Sequence, residues 1–216
     1  MRRALISLIS FTAATSSAEA GWLSARGRLV PETRVEAFVG TRSFGVGVLR
    51  TDTGNPRAGL TFEGVVGFTD RDAELRGARV WQVTQTGFAT TSVSLGGAAF
   101  IVPDRAAFDL GIGPHASLAL SLGGPVFSVD LSLQTGLEVF LRQQGAPRLP
   151  QRAGLGLHLR VSEFTIAAMA RIGADVFPGR NFVGRGEVML SVGWLGFDHA
   201  IGRTDTPTMT PVNPQG

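Results

Sequence analysis

The sequence has 216 residues, of which 44% are apolar and only 17% are charged, and its formal net charge is +3. Soluble globular domains usually carry about 25% charged residues, so this chain is poor in charge for a length that suits one domain. All 20 cationic side chains are Arg and none lies in a basic block, which excludes an ordinary nucleic-acid-binding surface, while the absence of Cys excludes disulfides and thiolate metal sites.

The first 20 residues are organised like a secretory signal peptide. Two arginines follow the initial Met, residues 4–14 form a short apolar core, and positions 18–20 read Ala-Glu-Ala, a small-x-small cleavage motif. The apolar core is well short of the ~20 residues that a membrane-spanning helix needs. We therefore expect residues 1–20 to direct export and to be cleaved before Gly21, so that residues 21–33 lead into the mature domain.

The region 34–102 contains segments in which apolar and polar residues alternate with period two, the pattern of β-strands. Residues 60–68 and 92–101 place mostly Leu, Val, Phe and Ile on one face, and Ser, Thr, Gly and Glu63 on the other. Residues 34–50 are apolar and rich in Gly, but their alternation changes phase near 41–43. That change indicates either a β-bulge or a turn.

Two long alternating segments occupy the centre of the chain. Residues 108–122 have apolar side chains at even positions and Asp109 among the odd ones. Residues 127–141 have large apolar side chains at every odd position except Thr135, with Asp130 and Glu138 among the even ones. A Gly-Gly-Pro sequence separates the two segments, so the pattern predicts two antiparallel strands whose apolar faces point the same way.

The last third of the chain continues the alternation, with a short Ser-Glu turn at 162–163. Its predicted strands are 155–161, 164–173 and 187–194, and their polar faces include Arg160, Arg171 and Glu187. The connections 143–152 and 174–184 are longer and carry Pro, Gly and Arg. The tail 203–216 has three prolines and no apolar periodicity, so we expect it to be disordered.

The length and composition of these strands favour a transmembrane barrel. The alternation in residues 127–141 runs for 15 residues, whereas a spanning strand needs ~9–11 and soluble strands are commonly about 5–6. The polar face consists mainly of Gly, Ser, Ala and Thr, which suits a narrow lumen. We expect the apolar face to point outward toward lipid; the alternative is a soluble secreted sandwich or lipocalin-type barrel with the apolar face inward.

In this pattern, residues 34–198 resemble the small outer-membrane β-barrel proteins of Gram-negative bacteria. The resemblance implies an outer-membrane location, contact with outer-membrane lipid, insertion by the barrel-assembly machinery and no cofactor. It also implies aromatic girdles at the membrane surfaces. Tyr is absent, so Phe together with Trp22, Trp81 and Trp194 would have to form them.

The number of strands depends on how two regions are read. If 34–50 is one strand and 76–102 is one arm of a hairpin, the all-β barrel at residues 34–202 has eight strands; if both regions split, it has ten. We prefer eight, a size at which side chains fill the lumen. An even number returns both termini to the periplasm, where the turns at 123–125 and 162–163 would lie. The loops at 143–152 and 174–184 would then be extracellular surfaces for contact with other envelope proteins.

Seven charged residues are predicted to face the lumen: Glu63, Asp109, Asp130, Glu138, Arg160, Arg171 and Glu187. A selectivity or proton-transfer site would need such groups. We favour a structural network of ion pairs, because an unpaired buried charge is costly. Glu138 precedes Arg160 by one strand, and we expect these two side chains to pair.

Catalytic and metal sites are weakly indicated. His115 and Ser117 share a face two residues apart, the spacing of a base and a nucleophile, whereas the three His give no metal-ligand spacing. We expect a non-enzymatic outer-membrane barrel that is structural, or that forms the outer-membrane part of an envelope-spanning export, adhesion or motility assembly. A narrow porin-like channel and an outer-membrane lipid hydrolase are the alternatives.

Overall fold

Alternation of apolar and small polar side chains produces an all-β chain. The computed structural model describes residues 23, 27–30, 32–68, 73–103, 108–141, 147–176 and 183–196. Its strands are β1 (Thr33–Gly40), β2 (Ser43–Thr51), β3 (Ala58–Gly67), β4 (Ala73–Gln85), β5 (Ala89–Pro103), β6 (Phe108–Gly123), β7 (Phe127–Gly136), β8 (Glu138–Phe140), β9 (Pro147–Val161), β10 (Phe164–Val176) and β11 (Val183–Leu195). The described part of the chain holds no helix long and apolar enough to cross a membrane.

The strands form one antiparallel sheet that closes on itself. Each long strand pairs with its neighbours in sequence, and β1 pairs with β11, with Arg34 opposite Leu195 and Gly40 opposite Met189. The three-residue strand β8 pairs with both β6 and β9. It therefore continues the line of β7, which lies between the same two strands at the other end of the barrel. The ring therefore has ten long strands, and among the described residues each of them has a partner on both sides.

The break between β7 and β8 has a local cause in β6. Pro114 lacks an N–H group, which weakens the ladder of hydrogen bonds at this level. A Cβ atom on the preceding Gly113 would collide with the carbonyl oxygen of Leu137. The backbone N–H of Leu137 donates instead to the carbonyl oxygen of Pro114 at 3.0 Å. The Gly113-Pro114 pair thus lets Leu137, the residue between β7 and β8, approach β6 closely.

The prediction of eight strands is wrong, because both ambiguous regions split. The phase change near 41–43 is a tight turn between β1 and β2. The second split is at 86–88, between β4 and β5, where the backbone N–H of Thr86 donates to the carbonyl of Ala89 at 2.8 Å. The Thr86 hydroxyl also accepts a hydrogen bond from the N–H of Ala89 at 3.3 Å. These local hydrogen bonds stabilise the turn, whose position the residues 84–87 do not mark clearly in the sequence.

The two ends of the barrel differ in their connections. One end, called here the turn end, carries the connections at 52–57, 86–88, 124–126 and 162–163, together with the start of β1 and the end of β11. The other, called the loop end, carries the two-residue turn at 41–42 and the connections that include residues outside the described ranges. The predicted long loops were drawn too wide, because residues 147–152 belong to β9, 174–176 to β10 and 183–184 to β11.

The barrel is inverted relative to a soluble protein. Large apolar side chains lie on its outer face, where Val46 is 61% exposed, Leu75 is 69% exposed and Leu133 is 60% exposed. Polar side chains such as Ser121 and Thr165 are buried on its inner face. The sequence predicted this orientation of the apolar face.

Candidate functional site: the barrel lumen

A buried carboxylate lies at the loop end of the lumen among three arginines. Asp175 on β10 accepts hydrogen bonds from Arg152 at 2.5 Å and from Arg148 at 3.5 Å, and it forms an ion pair with Arg185 at 2.9 Å. Arg148 also pairs with Glu138 on β8. The cluster thus ties four consecutive strands of the ring, from β8 to β11, and all of its charged side chains are buried.

Two aromatic rings complete this cluster. The guanidinium carbon of Arg148 lies 5.2 Å from the ring centroid of Phe100 and 5.4 Å from that of Phe140. The two rings meet edge to face at 5.1 Å. Such cation–π contacts strengthen when they are desolvated, so the rings help to hold Arg148 in one position.

A second set of ion pairs lies beside the first. Arg171 donates to Glu187 at 3.2 Å, and the Glu187 carboxylate also accepts from the Ser43 hydroxyl at 2.6 Å. Arg76 pairs with Glu74 on the opposite wall. The long charged side chains therefore fill the loop-end half of the lumen.

The turn-end half of the lumen is lined by smaller groups. Asp130 accepts hydrogen bonds from the hydroxyls of Ser121 and Ser128. Glu36 accepts from the Ser191 hydroxyl across the seam between β1 and β11. Each of these two carboxylates therefore accepts a hydrogen bond from at least one hydroxyl side chain.

Part of the predicted lead-in lies inside the barrel. The N-terminal segment, defined here as residues 23 and 27–30, enters the lumen from the turn end. The backbone N–H of Leu23 donates to Glu63 at 2.5 Å, and that of Leu29 donates to Gln82 at 3.3 Å. Leu23 is fully buried. The sequence pattern missed this placement, because a short segment without periodicity carries no signal for the surface it contacts.

The structure places the predicted lumen charges on the inner wall, but not all in the predicted pairs. Glu63, Asp109, Asp130, Glu138, Arg171 and Glu187 are buried, and Arg160 is half-buried. The predicted pair of Glu138 and Arg160 is wrong. Glu138 lies at the loop end with Arg148, whereas Arg160 lies at the turn end, 3.7 Å from Glu32.

Sequence reasoning also missed the cluster around Asp175. Arg148, Arg152, Asp175 and Arg185 all fall within or beside the segments predicted as loops. Alternation does continue there, since Arg148 and Arg152 are an even number of residues from Arg160. That parity was the available signal, and the prolines at 147 and 150 obscured it.

Cavities between these groups are small. One cavity, beside Arg28, Asp130 and His158, has a volume of about 20 Å³, and another, between His115 and Glu138, has about 10 Å³. One water molecule needs roughly 10–15 Å³ by this measure. Neither cavity therefore provides a path for a solute between the described residues.

The candidate catalytic pair faces the same filled interior. The Ser117 hydroxyl lies 2.6 Å from the Ser94 hydroxyl on β5, and both His115 and Ser117 are buried. The described residues contain no group of three His, Cys, Asp or Glu side chains placed to hold a metal ion. Both side chains lie on the inner wall, whereas a lipid hydrolase would need its catalytic side chains on the outer, lipid-facing side.

Aromatic side chains collect at the turn end. They are Trp81, Phe88, Phe127, Phe164 and Trp194. The Trp194 indole N–H points to the Glu163 carboxylate at 3.4 Å. Phe44 and Phe68 stack at 5.4 Å near the loop end. Phe and Trp thus occupy the ends of the outer face, as expected in the absence of Tyr; Trp22 lies outside the described residues.

No protein-family model matches this sequence, and no curated protein matches it either. Among solved structures, the chain is similar to the outer membrane channel DcaP of Acinetobacter baumannii, with 8% sequence identity and a TM-score of 0.40. The match covers 78% of this chain and 60% of that one, so this chain spans less than two thirds of the length of that structure.

Proposed function

We propose that this protein is an integral β-barrel of a Gram-negative outer membrane, with a closed lumen and a structural or interaction role in the cell envelope. The observation that carries the proposal is the continuous apolar outer face. Exposed large apolar side chains occur on every long strand, among them Val39 on β1, Leu95 on β5 and Leu190 on β11. A protein partner covers one patch of a surface, whereas a bilayer surrounds the whole ring.

The backbone supports the same environment. Lipid offers no hydrogen-bonding partners, so a spanning sheet must have no free edge, and the pairing of β1 with β11 removes it. The long strands contain 8 to 16 residues, which is compatible with the ~9–11 residues of a tilted spanning strand. The aromatic side chains at the turn end suit a membrane surface, where rings with one apolar side are favoured.

The outer wall has shallow grooves that acyl chains would fill. Gly77 and Gly97 leave a groove of about 950 Å³ between rows of larger side chains. Ala116 and Ala153 leave a second groove of about 890 Å³. Both are bordered by apolar side chains, so flexible hydrocarbon is the complementary filling material.

Short turns are typical of the periplasmic side of such barrels and longer loops of the outside. This orientation puts both ends of the ring, at β1 and β11, in the periplasm, as expected after export through a cleaved signal peptide and assembly by the barrel-insertion machinery. The loop end then faces the exterior and is the candidate surface for envelope partners in export, adhesion or motility. A filled lumen and a buried His115 and Ser117 support a non-enzymatic role over a porin-like channel or a lipid hydrolase.

Membrane fractionation tests this proposal directly. We expect the protein to sediment with outer membranes and to require detergent for extraction. On gels, the unheated sample should migrate differently from the boiled one, because a closed barrel resists unfolding by detergent at room temperature. Recovery in the soluble periplasmic fraction without detergent would rule the proposal out.

A further inference from the structure

We infer that the turn-end half of the lumen is a binding site for a short extended peptide, and that the chain's own N-terminal segment occupies it. The wall recognises the segment mainly through its backbone. Glu63 and Gln82 accept the N–H groups of Leu23 and Leu29, and the Thr51 hydroxyl donates to the carbonyl of Val30.

Two close contacts fix the register of the segment. A Cβ atom on Gly47 would lie 2.6 Å from Cδ1 of Leu23, so the absence of a side chain on the wall makes the pocket for Leu23. Conversely, a Cβ atom on Gly27 would lie 2.8 Å from the carbonyl oxygen of Thr90. A leucine followed four residues later by a glycine is therefore the pattern that this wall accepts.

Charge fixes the depth at which the segment stops. The Arg28 guanidinium donates to the carbonyl oxygen of Gly123 at the turn end, at 2.9 Å. Leu23 therefore reaches toward the middle of the barrel while Arg28 stays near its mouth. A peptide entering from the turn end is held by an apolar anchor inside and a cationic anchor at the rim.

The size of the ring explains why such an occupant is needed. Side chains just fill an eight-stranded lumen, and this ring has ten long strands. At the loop end, arginines and their partners supply the extra volume. At the turn end the wall near the segment consists of small residues, including Gly47, Thr90 and Ser121, which cannot fill the space themselves.

A thiol reporter tests the site in a chain that has no Cys of its own. Thr90 is fully buried on the inner wall and its hydroxyl has no hydrogen-bond partner among the residues that the structure describes, so Thr90→Cys is a mild change. We expect a water-soluble thiol reagent to leave this reporter unmodified in the full chain and to modify it after deletion of residues 23–30. Thr53→Cys in an exposed turn is the matched control, which should react in both backgrounds.

A peptide added to the deletion variant tests binding itself. The probe is the synthetic peptide of residues 21–32, and a scrambled peptide of the same composition is the control. Tethering supplies an effective concentration in the millimolar range, so the free peptide is titrated up to about 1 mM. The result expected is saturable loss of labelling at Thr90→Cys with the native peptide only.

Equal labelling of the reporter with and without residues 23–30, or no protection by the native peptide, would overturn the inference. If the deletion variant loses the heat-modifiable migration of a folded barrel, Leu23→Cys with Gly47→Cys replaces it. Removing the Leu23 side chain frees the space that a Cβ at position 47 needs, and oxidation should cross-link the two residues, detected as a mass loss of two hydrogens; absence of the cross-link in folded protein would contradict the inference. These assays run in detergent, so their outcome is independent of whether the barrel resides in an outer membrane.

Discussion

At the scale of single residues, the partner of a buried charged side chain in the lumen depends on the height of that side chain along the barrel. Glu138 and Arg160 face the same interior, but they lie near opposite ends of the barrel and pair with Arg148 and Glu32. Parity along a strand predicts the face of a side chain. The level of that side chain relative to another strand depends on register, which parity does not encode.

The carboxylate of Asp175 offers the sharpest test at this scale. Asp175→Asn keeps the shape of the side chain but leaves Arg148, Arg152 and Arg185 around a neutral group. Breaking a buried ion pair by removing one partner costs about 3–5 kcal/mol, and we expect a loss of this size in the free energy of unfolding. Urea unfolding of the protein in lipid vesicles measures it.

The matched control is Asp52→Asn at the turn end. Asp52 pairs with Arg79, and both side chains are partly exposed, so the expected loss is only about 0–1 kcal/mol. Equal losses for the two variants would mean that the cluster around Asp175 contributes nothing beyond an ordinary surface pair.

At the scale of the secondary-structure element, alternation was a sound guide to faces but a poor guide to ends. β6 appears where the pattern predicted it, because its long alternation is bounded by glycine and proline, whereas the single strand predicted over 127–141 is interrupted after Gly136 and continues as β8. The sequence left the turn between β1 and β2 ambiguous, because the change in the phase of the alternation fits either a two-residue turn or a β-bulge. β9 starts earlier than predicted because its first residues include prolines, which the ladder tolerates near a strand end.

Strand β7 provides a test of the lipid-facing wall. Leu133 points outward near the middle of this strand. In a soluble protein, replacing an exposed leucine with arginine has little effect, whereas on the lipid face at the bilayer midplane it costs about 2–4 kcal/mol. We therefore expect Leu133→Arg to lower the free energy of unfolding by that amount in vesicles.

Val126→Arg is the control for this strand. Val126 is 59% exposed, a fraction similar to the 60% of Leu133, but it lies in the turn before β7. A charge near the membrane surface costs only about 0–1 kcal/mol. If both arginine variants were equally stable, the outer face would not be in contact with hydrocarbon.

At the scale of the whole molecule, the lumen is closed by two different means. Ion pairs fill the loop-end half, and the N-terminal segment occupies the turn-end half. The cavities beside His158 and beside His115 hold about one water molecule each by volume. Because the two parts fill different halves of the lumen, loss of the N-terminal segment would open the turn-end half and leave the ion pairs of the loop-end half in place.

Conductance measures this closure. We expect the full-length protein, inserted in a planar bilayer, to give no stable current steps, because the cavities beside His158 and His115 are each about the size of one water molecule. Insertion is verified separately by protease protection of the strands. Stable steps from verified full-length protein would instead favour the narrow-channel alternative.

The alternating pattern alone established the all-β class and the positions of the turns near 123–125 and 162–163, and the length of the strands with the small residues of their polar face indicated an outward apolar face. These properties are local, because side-chain direction follows from neighbouring residues and turns follow from Gly and Pro. Only the tertiary structure decided that ten strands close the ring, that Asp175 collects three arginines and that Leu23 lies inside the barrel. Each of these depends on contacts between residues far apart in the chain, such as Arg34 with Leu195, and no local pattern specifies which distant strand or side chain a residue will meet.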